Sequence, residues 1–290
     1  MSKNQEFNQN LNELELGRFN RMRVVKEVEF GVYLDGGEAW GEILLPATAV
    51  PRGTEAEDEL DVFIYLDSED RAIATTIQPL AEAGDFAVLE VVDQNQVGAF
   101  LNWGLPGKDL LLPYREQTRQ LKVGDRVVVF VTVDPKRDHI IASMRVDRFV
   151  SSDWGPLKPT NEVSLLICRK TDMGYLAIIN NVNMGLIFAS DVLQPLKEGD
   201  ICKGYIKALR DDGKIDLTLQ KAGYNRVEDA IDPILANLKA QGGFIAVTDK
   251  SSPEEIQKLF AVSKKTYKKS VGALFKRRLI RIETDGIYLV

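Results

Sequence analysis

Two aromatics flanking a strand glycine, and a carboxylate four residues ahead of an arginine, are the residues whose types and spacing could do chemistry here. The aromatic set is Phe30-Gly31-Val32-Tyr33, and the charged pair is Asp67 and Arg71. Flat rings give unpaired bases a face to stack on, worth about 1–3 kcal/mol per base, and a guanidinium can hold a phosphate or stack itself. Asp67 can accept from a base edge or orient Arg71. The same rings could instead fill a barrel interior, as strand aromatics commonly do. A thinner set follows 67 residues on: Phe100 after Gly98, with Trp103 and Lys108 in the next loop.

A second concentration lies near the C-terminal end: Lys264, Lys265, Lys268, Lys269, Lys276, Arg277, Arg278 and Arg281. The run from Ile256 to Ile282 holds nine basic residues and no acidic one. Residues 226–290 carry a net charge of +4 and the preceding 225 a net of −10, within a total of −6. That asymmetry marks the C-terminal end as a candidate nucleic-acid surface, and it means the acidic part should bind weakly or only through local patches. Catalysis finds little footing. His139, the one histidine, stands beside Asp138 without a partner pattern, and there is no HExxH, GxSxG or Walker loop. The reading is a non-catalytic protein with no cofactor and no metal. Cys168 and Cys202 are too isolated for a disulfide framework or zinc site and read as buried free thiols. With no apolar run near the ~20 residues that span a bilayer, and no signal-peptide layout, the expectation is a cytoplasmic protein with no membrane partner.

The elements that must position these residues are set by a duplication. At an offset of 67, Gly17 matches Gly84, Phe19 matches Phe86, Leu44-Leu45-Pro46 matches Leu111-Leu112-Pro113, Asp58 matches Asp125 and Asp67 matches Asp134. One register held through so many glycines, prolines and strand residues is a repeat. Each copy offers five short strands, expected in the first at Phe19–Val28, Gly31–Leu34, Trp40–Leu45, Leu60–Leu66 and Ala72–Ile77. In the second they fall at Phe86–Val92, Gly98–Asn102, Leu110–Pro113, Arg126–Val133 and Ile140–Val146. Five strands in so few residues suit a small closed barrel. A diverged third copy runs through Met173-Gly174-Tyr175-Leu176, Gly185–Phe188 and Gly199-Asp200 to a strand at Ile215–Leu219.

The remainder changes period. Asp232-Pro233 reads as a cap and first helical position, Gly242-Gly243 as a stop, and Ser252-Pro253-Glu254-Glu255 as a capping box. A third helix, about Lys264–Leu279, would turn Tyr267, Val271, Leu274 and Phe275 inward, and Asp285-Gly286 would close a hairpin. Helix, strand, two helices and a hairpin is the order of a winged helix. The expected organisation is a disordered leader (1–15), barrels at 16–79 and 80–150, a linker (151–160), a third barrel (161–221) and a winged helix (222–290): a multidomain, mainly β protein.

The repeats resemble the S1 RNA-binding domain, a five-stranded OB-fold barrel. That family carries aromatics about a glycine in its second strand, a histidine in a following Gly-Leu-Val-His run, and an Asp-x-x-x-Arg pair near its last strands. The resemblance gives Phe30, Tyr33, Asp67 and Arg71 to the first barrel, with Leu44 at the histidine position. The second keeps Phe100 and Asp134, with Val97 for the first aromatic, Asp138 for the arginine, and Arg137 one position off. The third has Phe188 at the histidine position and Lys214 near that of the arginine. Three such units and a winged helix, with Thr248–Ile256 and Val262–Lys265, resemble the conserved virulence factor B family of bacterial RNA-binding proteins. The resemblance implies a cytoplasmic, RNA-binding protein that affects gene expression; the residues themselves add the expectation of single-stranded RNA on the barrels and of duplex nucleic acid as a second partner through the basic winged helix. Two other readings stay open at this point: a DNA-binding regulator led by the winged helix, and an adaptor docking on ribosomal or RNA-decay machinery. The sequence names no protein partner.

Overall fold

The structure, a computed structural model, describes residues 14–135, 137, 139–192, 194–220, 226–248 and 250–290. Most of the leader, together with Asp138 and Asp249, lies outside them. The first barrel comprises β1 (Phe19–Val28), β2 (Gly31–Asp35), a single helical turn α1 (Gly37–Trp40), β3 (Glu42–Pro46), β4 (Glu59–Leu66) and β5 (Ala72–Thr75). It closes in the order β1-β2-β3-β5-β4. Strand alternation sends Val24, Leu34, Ile43, Leu45, Val62, Ile64 and Ala74 into the interior, so the interleaved residues face out. Trp40, expected to begin β3, sits in α1, because Gly37 and Gly41 take positive φ and turn the chain before the strand starts. Gly31 has φ near +152°, and a Cβ there would run into the Leu45 carbonyl across the pair.

The second barrel repeats the order with β6 (Phe86–Gln94), β7 (Gly98–Leu105), β8 (Lys108–Pro113), β9 (Arg126–Asp134) and β10 (His139–Ser143). The third does so with β11 (Glu162–Thr171), β12 (Gly174–Ile179), β13 (Asn183–Phe188), β14 (Ile201–Leu209) and β15 (Ile215–Thr218). Mainly β architecture with three closed five-stranded barrels is thus what the strand patterning builds.

The barrels share apolar seams. Phe63 of β4 is fully buried and belongs to the same core as Leu89, Leu101 and Trp103 of the second barrel. Its ring meets Trp103 edge-on at 5.5 Å. Between the second and third, Phe86, Val128 and Val146 pack with Cys168 and Ile178, and Asn181 accepts from the Phe86 N–H and donates to Asp85. The stretch 151–160, expected as a linker, packs on the third barrel. Trp154 and Leu157 lie against its core, the Trp154 indole donates to the Gly213 carbonyl, and Asn183 donates to the carbonyls of Ser151 and Asp153.

The C-terminal domain has α2 (Arg226–Ala240), β16 (Phe244–Ile245), α3 (Pro253–Phe260), α4 (Lys264–Lys276), β17 (Ile280–Ile282) and β18 (Ile287–Leu289). Pro233 lies inside α2, so that helix begins earlier than Asp232-Pro233 suggested. Ser252 and Ser263 cap α3 and α4 by accepting from the N–H groups of Glu255 and Thr266. The sheet order β16-β18-β17 completes the winged helix.

Candidate nucleic-acid interface

On the first barrel the register places Tyr33 opposite Leu44, and Leu44 beside Ile73, as a row across the outer face of β2, β3 and β5. Phe30 precedes β2 and is 57% exposed. Its ring meets Tyr33 edge-on at 6.3 Å, and Lys26 Nζ lies 4.8 Å from the Tyr33 ring centre. The charged pair forms as its spacing suggested. Asp67 Oδ1 accepts from the backbone N–H groups of Glu69 and Arg71, while Oδ2 takes Arg71 Nε at 2.9 Å and Nη2 at 2.8 Å. Partial burial works against ionisation of Asp67. The Arg71 N–H, its guanidinium and the Glu69 N–H outweigh that and hold the carboxyl below its ordinary range. Arg71 stays mostly exposed, pairs also with Glu69 at 2.9 Å, and lies within electrostatic reach of Tyr33. Ile73, two residues after Arg71, ends the row that begins at Tyr33, so the loop of the charged pair enters the strand that carries that row.

The second barrel departs from its expected set. Trp103 is 1% exposed and donates through Nε1 to the Ala81 carbonyl at 2.8 Å. It is a seam residue and offers no face to a base. β7 continues to Leu105, so Trp103 alternates inward with Leu101. Lys108 is half-buried in the same seam, with Nζ 3.3 Å from the Asp67 carbonyl, and burial pulls its pKa down against the Asp67 and Asp70 carboxylates. Phe100 holds the place of Tyr33, opposite Leu111, which neighbours Ile141. The sequence reading missed the cation: Asp134, nearly buried, pairs at 2.6 Å with Arg115, from the turn after β8. Tyr114 beside it is 55% exposed. A signal existed, since Tyr114-Arg115 replaces Ala47-Thr48 just after the aligned Leu-Leu-Pro. These groups edge a groove of ≈ 310 Å³ whose floor includes Leu111 and Ile141 and whose rim includes Arg137 and His139.

In the third barrel Phe188 lies opposite Gly174, as Pro46 lies opposite Gly31; the counterpart of Leu44 is Leu186, opposite Leu176. Leu44 and Phe188 therefore cannot both occupy the histidine position. Lys207 and Arg210 stand 5.4 and 5.6 Å from the Phe188 ring centre. Lys214 instead folds back on Asp212 at 2.9 Å.

On the winged helix, helical spacing puts Lys265, Lys268, Lys269 and Lys276 on the outer side of α4, opposite Thr266, Tyr267, Ser270, Val271 and Leu274. Lys264 donates to the Ser251 carbonyl at 2.7 Å. Arg277 and Arg278 are exposed just past the helix, and Arg281 of β17 lies 5.7 Å from the Tyr288 ring centre. Phe275, expected inward, is 52% exposed among these cations, because 100° per residue turns it off the face that buries Leu274.

The chain matches the model of the S1 domain at residues 16–77 and 83–145, and that of the CvfB-like winged helix domain at 232–289. It is 28% identical to YitL of Bacillus subtilis (strain 168) over 277 residues, 90% of this chain and 89% of that protein. It is 24% identical to conserved virulence factor B of Staphylococcus epidermidis over 243 residues, 81% of each. A crystallised multidomain protein with nucleic acid binding domains from Streptococcus pneumoniae TIGR4 is 22% identical, covering 95% of this chain and 98% of that one, with a TM-score of 0.43. No helix among the described residues is long and apolar enough to cross a membrane.

Proposed function

We propose that this chain, which carries two S1 domains and a CvfB-like winged-helix domain, binds single-stranded RNA and acts by binding alone. The observation that carries the reading is the first barrel's outer face. Phe30 is exposed, Tyr33 stands edge-on beside it, and Asp67 holds Arg71 within electrostatic reach of Tyr33. Unpaired bases would stack on the rings and Arg71 would hold the backbone or a base, which suits RNA sequences presented as loops and ends. The outer face of α4 adds phosphate contacts that the acidic barrels lack. A role in regulating gene expression belongs to the same proposal.

The test is fluorescence anisotropy with labelled homopolymer RNA at two salt concentrations. Tyr33→Ala should cost about 1–3 kcal/mol of affinity, roughly 5- to 150-fold, and Arg71→Ala should also flatten the salt dependence. Wild-type affinity in both variants, with the fold intact by circular dichroism, would remove the first barrel as the reader. The collected lysines of α4 favour one second reading, a regulator that grips duplex DNA through the winged helix. Duplex binding stronger than single-strand binding, and lost in Lys265→Glu/Lys269→Glu, would select it.

A further inference from the structure

Two residues flanking Phe275 are the wrong way round for the helix that holds them. Gly272, three residues before it, lies in the interior of α4, where glycine is the poorest choice after proline. A Cβ there would meet nothing within 4 Å beyond the helix's own backbone, so no described residue requires the side chain to be missing. Arg278, three residues after Phe275, stands just past the helix end, where glycine is usual, with φ +58°. Its N–H donates to the Phe275 carbonyl and the Leu279 N–H donates to the Leu274 carbonyl, the closing turn that demands this left-handed backbone. Ala261 closes α3 in the same conformation, so one such residue is tolerable by itself. On α4 the two choices coincide, and both cost folding stability.

Phe275 between them is 52% exposed, and Leu279 beyond the turn is 39% exposed. Helical spacing sets Gly272, Phe275 and Lys276 on one side of α4, and Arg278 is exposed just past them. A bare backbone lets a second helix come close, an exposed ring gives it an anchor, and the cations call for carboxylates. No acidic residue interrupts the stretch from Ile256 to Ile282. Nucleic acid matches that charge but not the rest. A phosphate backbone offers Phe275 and Leu279 no apolar surface, and the neighbouring wing carries exposed Glu283 and Asp285, which repel one.

We infer that the C-terminal end of α4, with the turn after it, is a docking surface for a protein partner, and that the docked element is an acidic amphipathic helix. It crosses α4 over Gly272, rests apolar side chains on Phe275 and Leu279, and offers carboxylates to Lys276 and Arg278. Lys265 and Lys269, in the first two turns, are left to the phosphates of the RNA-binding reading.

The experiment selects phage-displayed random peptides of about 16 residues against the full chain, then measures the enriched peptides, made synthetically, by fluorescence anisotropy. They should carry net negative charge, with Leu, Phe or Trp at i, i+3, i+4 and i+7. Phe275→Ala should weaken them at least about tenfold, as loss of an interface anchor does. Gly272→Leu and Arg278→Gly are the sharper variants. Each suits the helix or its closing turn better than the native residue, so α4 amides should exchange hydrogen more slowly, yet each should weaken the peptides at least about fivefold. A merely structural role would not give greater protection together with poorer binding. Unchanged peptide affinity in Phe275→Ala or Gly272→Leu overturns the inference, as does a selection that enriches no acidic, apolar pattern at helical spacing. Oligo-uridine and a DNA duplex of about 20 base pairs should bind Phe275→Ala within about twofold of wild type. A loss of about tenfold or more there would make the patch part of the nucleic-acid interface and overturn the protein partner.

Discussion

Replacing Trp103 tests whether its ring is structural or a platform for bases. The indole is 1% exposed, packs edge-on against Phe63 and donates to the Ala81 carbonyl. Truncation to alanine empties a large volume in a close-packed seam, which costs about 3–5 kcal/mol, and it also leaves the Ala81 carbonyl without that donor. With a urea dependence of about 1–3 kcal/mol per molar, the unfolding midpoint should fall by roughly 2 M. Trp103→Phe keeps most of the packing and should lose about 1–3 kcal/mol, chiefly through the missing N–H and the unfilled ring volume. Urea titrations followed by far-UV circular dichroism measure both. RNA affinity, read well below the transition, should stay within about twofold of wild type, since a stacking ring would instead cost about 1–3 kcal/mol. Wild-type stability combined with weakened RNA binding would refute the argument and return Trp103 to the interface.

Three further outcomes follow from the same geometry. Asp67 has a folded pKa below its unfolded value near 3.9, so its pairing with Arg71 is fully present above about pH 4 and is lost as pH falls through the lower folded value; a carboxyl ¹³C titration should show a midpoint below that of a free aspartate. Burial pushes the Cys168 thiol up to about 12, so iodoacetamide at pH 8 should leave it unmodified until urea unfolds the barrel, and rapid native labelling would contradict its place between the second and third barrels. Lys265→Glu/Lys269→Glu should lower the slope of log affinity against log salt by about 1.4 or more on single strands, since each phosphate contact contributes about 0.7; an unchanged slope would take the outer face of α4 out of the interface.

Local pairs were the legible part of this chain, and pairs made across space were not. Asp67 and Arg71 lie four residues apart in one turn, so the Asp-x-x-x-Arg pattern of the resembling family marks a contact that is local in the chain. The duplicated glycines and prolines likewise give away the five-strand units. Arg115 and Asp134 meet because β8 and β9 belong to one closed barrel, and no local spacing carries that information. Trp103 was misplaced by ending β7 at Asn102; carried through Leu105, the period of two assigns it to the interior with Leu101. Phe275 is expected inward with Tyr267, Val271 and Leu274, but as the neighbour of Leu274 it points about 100° away from it and is 52% exposed. The packed stretch 151–160 illustrates the same limit, since Ser and Pro mark a break in regular structure whether or not tryptophan and leucine side chains anchor it.

Phe63 changes what the ancient doubling can still do. Tandem copies usually remain interchangeable units, free to be lost, swapped or moved between genes. Here one copy has lent a side chain to its sibling's interior, and Phe19 and Tyr65 lean on the same neighbour. Deleting either half would strand apolar surface that the other now covers, so descendants of this gene are expected to inherit the pair together or lose it together.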